Sequence, residues 1–169
     1  MAAAGRPPLI AVCCPSRPRP SDLEAARRVG ELLAQRGAVL LCGGLGGAMA
    51  AAAAGAREAG GRVVGLLPGS DPGAADPGVE LALATGLGEM RNALLLRAAQ
   101  AVIAIGGGVG TLSEIALALV LGKPIAGLDT WGLEPPSGSP GAALQLERVP
   151  SPERAVEWVL GRAGLGQGE

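Results

Sequence analysis

Residues 9–14, 38–42, 62–67, 101–105 and 124–128 are short, almost wholly apolar runs, and segments of helical period lie between them. That alternation constrains the fold more than anything else in the chain. A strand with no polar face must be covered on both sides, and such strands belong to parallel sheets. Segments 21–37, 48–59, 89–100 and 111–121 have the apolar spacing of helices. Right-handed crossovers then put helices on both faces. The expected architecture is α/β: a Rossmann-like, doubly wound, mainly parallel sheet with helices on both faces.

Local signals supply further boundaries. Ser21-Asp22-Leu23-Glu24 reads as a capping box that opens the first helix. Leu23, Ala26, Val29, Leu32 and Leu33 then share one face, and the helix ends near Gly37. Residues 68–78 form a loop dense in Gly, Pro and Asp. Residues 81–84 are expected as a short strand, 131–141 as a loop and 144–149 as a last strand. A closing helix over 152–163 has Ser151 as its cap. No linker is long enough to separate two units, so residues 1–169 read as a single domain.

Composition removes several classes of chemistry. There is no histidine, which excludes a His-based triad, an imidazole base and a His–metal site within one chain. Cys13, Cys14 and Cys42 match no zinc spacing and read as small apolar core residues, so no metal site is expected. With neither Tyr nor Phe, only Trp131 and Trp158 are available for stacking, and Trp158 falls in a helical pattern that buries it. A formal net charge of -1 advertises neither a nucleic-acid nor a membrane surface. No apolar run reaches the ~18 residues of a membrane span. The first residues carry no signal-peptide pattern, and the expected location is cytoplasmic.

The segment Ile103-Ala-Ile-Gly-Gly-Gly-Val-Gly-Thr-Leu-Ser-Glu114 reads as a buried strand, a glycine loop and a helix start. The first turn of a helix has unpaired N–H groups and a partial positive charge. Glycines let an anion approach those N–H groups closely. A second glycine loop, Gly43 to Gly47, sits at another strand–helix junction, and Cys14-Pro15-Ser16 follows the first strand. In a doubly wound sheet all three loops lie on the ligand-binding edge. Together they predict a small phosphate-bearing ligand. The loops match neither the P-loop pattern nor G-x-G-x-x-G in register, which argues against a P-loop NTPase and a typical dehydrogenase. Glu114 repels phosphate and is expected to face another part of the ligand. Arg91, beside Asn92 at a helix start, is electrostatically disfavoured there unless a ligand phosphate or Glu114 partners it.

The strings GGGVGTLSE, GGLGGAMAAAAAGA and EMRN, in their order along the chain, resemble the LOG family of "lysine decarboxylase-like" proteins. Its hallmark is P-G-G-x-G-T-x-x-E, and the similarity covers residues 9–128. The chain looks most like the short branch that includes molybdenum cofactor carrier proteins, which share the R-N pair. The resemblance implies a Rossmann-like homodimer or higher oligomer. In LOG enzymes this fold hydrolyses the N-glycosidic bond of a nucleoside 5′-monophosphate, releasing free base and ribose 5-phosphate. By resemblance Gly107, Gly108, Gly110 and Thr111 bind the 5′-phosphate, and Arg91 and Glu114 match the catalytic pair. Ser16, Gly43, Gly44, Gly46, Gly47 and Asn92 line the same pocket. The carboxylate suits the positive charge that develops on the ribose during cleavage.

Three departures stand out. Gly106 replaces the hallmark proline, Arg91-Asn92 replaces the R-K pair of the enzymes, and the loop over 68–78 is short and shows no recognisable base-binding elements. They favour a nucleotide- or phosphate-ligand-binding protein of the carrier-like branch, holding a nucleotide or molybdopterin-type ligand and requiring no separate cofactor. The alternative is an active nucleoside 5′-monophosphate phosphoribohydrolase. Lysine decarboxylation is not expected: the one lysine, Lys123, precedes Pro124 and reads as a helix end, and no pyridoxal site is evident.

Overall fold

A computed structural model describes residues 6–137 and 145–164. The elements run β1 (Leu9–Cys13), α1 (Pro20–Gln35), β2 (Val39–Cys42), α2 (Ala48–Glu58), β3 (Arg62–Leu67), β4 (Leu81–Ala84), α3 (Arg91–Ala98), β5 (Ala101–Ile105), α4 (Val109–Val120), β6 (Ile125–Leu128), β7 (Leu146–Arg148) and α5 (Pro152–Ala163). The strands form one sheet in the order β4-β3-β2-β1-β5-β6-β7. Every pairing is parallel. The expected Rossmann-like, doubly wound architecture is what the chain adopts.

The central strands split their side chains between two cores, as alternation across a pleated sheet requires. Ile10, Val12, Ile103 and Ile105 face one way, against apolar residues of α1, α2 and α5. Ala11, Cys13, Val102 and Ala104 face the other, against Leu95 and Leu96 of α3 and Ile115 and Ala118 of α4. All three cysteines are free and buried among these residues.

Helices α1 and α2 approach each other unusually closely. A Cβ placed on Gly30 would overlap the backbone carbonyl of Ala52, and one on Gly55 the carbonyl of Arg27. The alanine run of α2, with Ala48, Ala52, Ala53 and Ala56 buried, leaves no bulky side chain to hold the helices apart.

The structure corrects several boundaries. Helix α1 opens at Pro20, where a missing N–H costs nothing because first-turn N–H groups lack helical partners. Its reciprocal cap is Asp22, whose carboxylate accepts the Arg19 backbone N–H at 2.8 Å, not the Ser21–Glu24 pair. That phase buries Asp22 and turns Leu23 outward, 39% exposed, instead of into the inner face. The expected helix over 89–100 divides into a 3-10 turn, Gly88–Met90, and α3. Helix α4 starts two residues before Thr111, at Val109. Loop 68–78 holds a short 3-10 turn, Pro72–Ala74. Strand β7 is shorter than the 144–149 expectation, and residue 144 and positions 138–141 of the loop lie outside the described residues. Trp158 is only half buried, with the Arg162 guanidinium 4.9 Å from its ring centre. Ser151 does cap α5, accepting the Arg154 N–H at 3.3 Å. Among the described residues no helix is long and apolar enough to cross a membrane.

Gly30→Ala should lower the unfolding free energy by roughly 1–3 kcal/mol, the range for overpacked cores. Calorimetry should record a melting temperature several degrees lower, while the same substitution at Gly161, which has open space around it, should not destabilise.

Candidate ligand-binding site

Strands β1 and β5 are neighbours, with Val12 beside Ile103 and Cys13 beside Ala104. From their carboxyl ends the chain departs to opposite faces, β1 into α1 and β5 into α4. The diverging loops open a crevice at this switch point, the usual ligand position in such sheets. A cleft of about 420 Å³ lies there. Its border comprises Cys14, Pro15, Ser16 and Arg17 after β1, Met49 of α2, Glu89, Arg91 and Asn92 at the start of α3, and Gly108, Val109, Gly110, Thr111 and Glu114 of α4 with its cap.

Of the residues singled out in the sequence, Ser16, Arg91, Asn92, Gly108, Gly110, Thr111 and Glu114 thus meet at one cleft. Gly43 contributes from beneath: a Cβ there would overlap the Arg91 guanidinium. Gly44, Gly46, Gly47 and Gly107 do not border this cleft. Gly44 (φ 77°) lies against Gly65 and Leu67 of β3, and Gly47 (φ 72°) against the carbonyls of Pro15 and Ser16, so both serve chain packing. Gly46 faces open space. Gly107 borders an adjoining cleft of about 320 Å³ that shares Pro15, Arg17 and Gly108 with the first. The border also includes Arg17, which lay in no motif, and Met49 and Glu89, which lay inside the motif strings but were assigned no place in the pocket until the loops converge.

Gly106 sits at φ 71° with the Asp22 carboxylate 3.0 Å from where a Cβ would be. Proline, fixed near φ −65°, is excluded there. The departure from the hallmark proline is therefore a backbone requirement in this chain.

The polar groups of the cleft are incompletely partnered. Among the described residues Arg91 Nε, Asn92 Oδ1 and Thr111 Oγ1 are buried without a hydrogen-bond partner. Thr111 as a whole is only 1% exposed. An orphaned buried polar atom costs about 1–3 kcal/mol, so three converging on one cleft are readily satisfied by a polar ligand. Arg91 Nη1 donates to the Leu66 carbonyl at 2.6 Å, across to the end of β3. It forms no ion pair with Glu114 among the described residues, correcting one of the two partners expected for it. The Leu66 carbonyl is the anchor that lets this cation stand at a helix start.

Burial pushes the Glu114 carboxyl up to about 7, against the pull of the Arg91 charge and the Cys13 thiol. Burial and the nearby Glu114 carboxylate push the Cys13 thiol well up, so it stays protonated. Burial also lowers the Arg91 pKa, with Glu114 opposing. The arrangement combines helix-start N–H groups, a guanidinium and a carboxyl that titrates near neutrality. Lys123 stands elsewhere, its ammonium donating to the carbonyls of Arg97 at 3.1 Å and Ala99 at 2.6 Å and so closing the end of α3.

Fold and site define a Rossmann-like α/β protein with glycine loops at the carboxyl edge of its sheet. The chain belongs to the SLOG cluster4 family, whose model matches residues 8–156. It is similar to the molybdenum cofactor binding protein of Rippkaea orientalis, with 38% identity and a TM-score of 0.83 over 94% of this chain and 98% of that one. The molybdenum cofactor carrier protein of Chlamydomonas reinhardtii aligns with 32% identity and a TM-score of 0.82, covering 94% and 99%. A cytokinin riboside 5′-monophosphate phosphoribohydrolase of Mycobacterium tuberculosis is 35% identical over 133 residues, 73% of this chain and 71% of the relative.

Glu114 has a testable signature. A carboxyl with a raised folded-state pKa gives its full stabilisation below the unfolded value of 4.5, and that stabilisation is lost as pH rises through about 7. Glu114→Gln stays uncharged throughout. Its melting temperature minus that of the wild type should therefore grow between pH 5 and pH 8. A difference independent of pH would contradict the buried assignment.

Proposed function

We propose that this protein binds a small phosphate-bearing ligand, a nucleotide or a molybdopterin-type molecule, in the cleft between β1, β5 and α4, and acts as a carrier-like binding protein. The observation that carries this reading is that Arg91, Asn92 and Thr111, which border one cleft, each hold a polar atom (Nε, Oδ1 and Oγ1) that is buried and unpartnered among the described residues. Phosphate oxygens are suited to the first-turn N–H groups of α4, the Thr111 hydroxyl and the Arg91 guanidinium. Gly108 and Gly110 leave that approach open, and Ser16 adds a hydroxyl from the opposite loop. Asn92 Oδ1 suits a donor on the ligand, such as a sugar hydroxyl or ring N–H. The likeness to molybdenum cofactor binding and carrier proteins supports the same reading.

A second reading is hydrolysis of a nucleoside 5′-monophosphate, favoured by Arg91 and Glu114 at one cleft and by the phosphoribohydrolase relative. As the N-glycosidic bond breaks, its electron pair leaves with the base nitrogen and positive charge grows on the ribose. Glu114, when ionised, stabilises that charge and orients a water for attack at C1′. The water proton ends on the departing base, giving free base and ribose 5-phosphate.

The surface beside the cleft supports a homo-oligomer. Met90, Val109 and Val120 are 73%, 78% and 82% exposed, and α4 carries no charge except Glu114. A helix apolar on nearly all sides is normally covered on all of them. A second copy of the chain is the proposed cover.

Calorimetric titration with AMP separates these readings when paired with an assay for released base. Binding without release from any nucleoside monophosphate supports the carrier reading. Release that falls at least ~100-fold in Glu114→Gln supports the hydrolase, the lower end of acid–base contributions. Thr111→Val should raise the AMP dissociation constant about tenfold, equivalent to ~1.4 kcal/mol. No stabilisation by AMP, phosphate or molybdate in a thermal-shift screen would defeat both. Light scattering should give at least a dimer, and a monomer at micromolar concentration would defeat the covered-face argument.

A further inference from the structure

The glycine loop after β5 is held from behind by a chain of contacts none of which was visible as a motif. The Thr130 hydroxyl donates to the Gly106 carbonyl. The Trp131 indole Nε1–H donates at 3.2 Å to the Gly108 carbonyl, which also accepts the Leu112 N–H of α4 at 3.0 Å, and lies 4.0 Å from where a Cβ on Gly107 would stand. Adjacent residues after β6 therefore fix alternate carbonyls of the loop.

The turn that delivers them is itself fastened. Asp129 has φ 45°, the one non-glycine residue with positive φ among the described residues. Such a conformation persists where the surroundings over-determine it. Its carboxylate pairs with Arg19 Nη2 at 2.8 Å, and its carbonyl accepts from the same atom at 3.4 Å. Arg19 is in turn bound to the buried Asp22 through Nε at 3.1 Å and Nη2 at 2.7 Å. Asp22 completes the ring by packing against Gly106. The loop is thus clamped between the start of α1 and the turn after β6.

A peptide unit whose carbonyl is pinned on one side carries its N–H on the other, because the unit is planar and trans. Pinning the carbonyls of Gly106 and Gly108 therefore sets the direction of the following N–H groups, those of Gly107 and Val109. We infer that Thr130 and Trp131 are positioning residues that hold the glycine loop in an anion-accepting shape. This rests on the reading of the loop as a phosphate site and adds to it the residues that keep the site pre-formed. Pre-organised donors bind more tightly because ordering them is not charged against binding. The indole acts through its N–H, not by stacking, so Phe at the same position should lose the effect while keeping an aromatic ring.

The test compares AMP with adenosine, which differ only in the phosphate. Thr130→Val and Trp131→Phe should each raise the AMP dissociation constant about tenfold and leave that for adenosine within twofold. Thr130→Ser, which keeps the hydroxyl, should restore AMP binding. Equal weakening of AMP and adenosine would assign these residues a general structural role and overturn the inference. Wild-type AMP affinity in both variants would overturn it while leaving the phosphate site standing. If the wild-type protein binds AMP no better than adenosine, the phosphate reading falls and the inference falls with it.

Discussion

Everything at the candidate site follows from the pairing of β1 with β5. The chain starts at the middle of the sheet, builds outward through β2, β3 and β4, then returns to lay β5 along the other side of β1. Because all crossovers share one hand, the segments after β1 and β5 must leave toward opposite faces. The loops that follow the two paired strand ends separate and leave a crevice between them. The crevice is a topological consequence rather than an added feature. The side chains that fill it sit on loops and helix starts that this one pairing brings together.

Within the crevice, burial and charge act against each other. The apolar core beneath β1 and β5 removes water from Glu114 and raises its pKa to about 7, while the Arg91 charge opposes that rise. Arg91 is held by a backbone carbonyl of β3 instead of by Glu114, so neither side chain neutralises the other directly. An arginine that keeps an unpartnered Nε and a carboxyl poised near neutrality form a site with unused hydrogen-bonding and charge capacity. The carrier and hydrolase readings draw on the same capacity and differ in whether Glu114 does chemistry or only lines the wall.

The fold was legible because the strands are apolar on both faces and the helices between them are periodic, and both patterns are local. The meeting of Ser16 and Thr111 was legible too, because the carboxyl edge of a doubly wound sheet collects the loops that follow its strands, while the place of Arg91 and Glu114 beside them came from the family resemblance. Other features were not. Asp22 took the capping role read for Ser21, since Pro20 is favourable at a first helical position and shifted the start of α1. Gly44 and Gly47 looked identical in type to Gly108, yet they pack against β3 and the Pro15–Ser16 backbone. A glycine in a sequence does not record whether its missing side chain makes room for a ligand or for another segment of the chain.

The sequence by itself determined the layers of this protein, the parallel sheet and the edge on which a ligand site belongs, because hydrophobic periodicity acts over a few residues. Tertiary structure alone decided which polar groups are left unpartnered at that edge, where Arg91 is anchored, and that Thr130, Trp131, Arg19 and Asp22 fasten the glycine loop. Those facts depend on contacts between residues up to about a hundred positions apart, such as Arg19 and Asp129. Their distances and burial exist only once the chain has closed on itself.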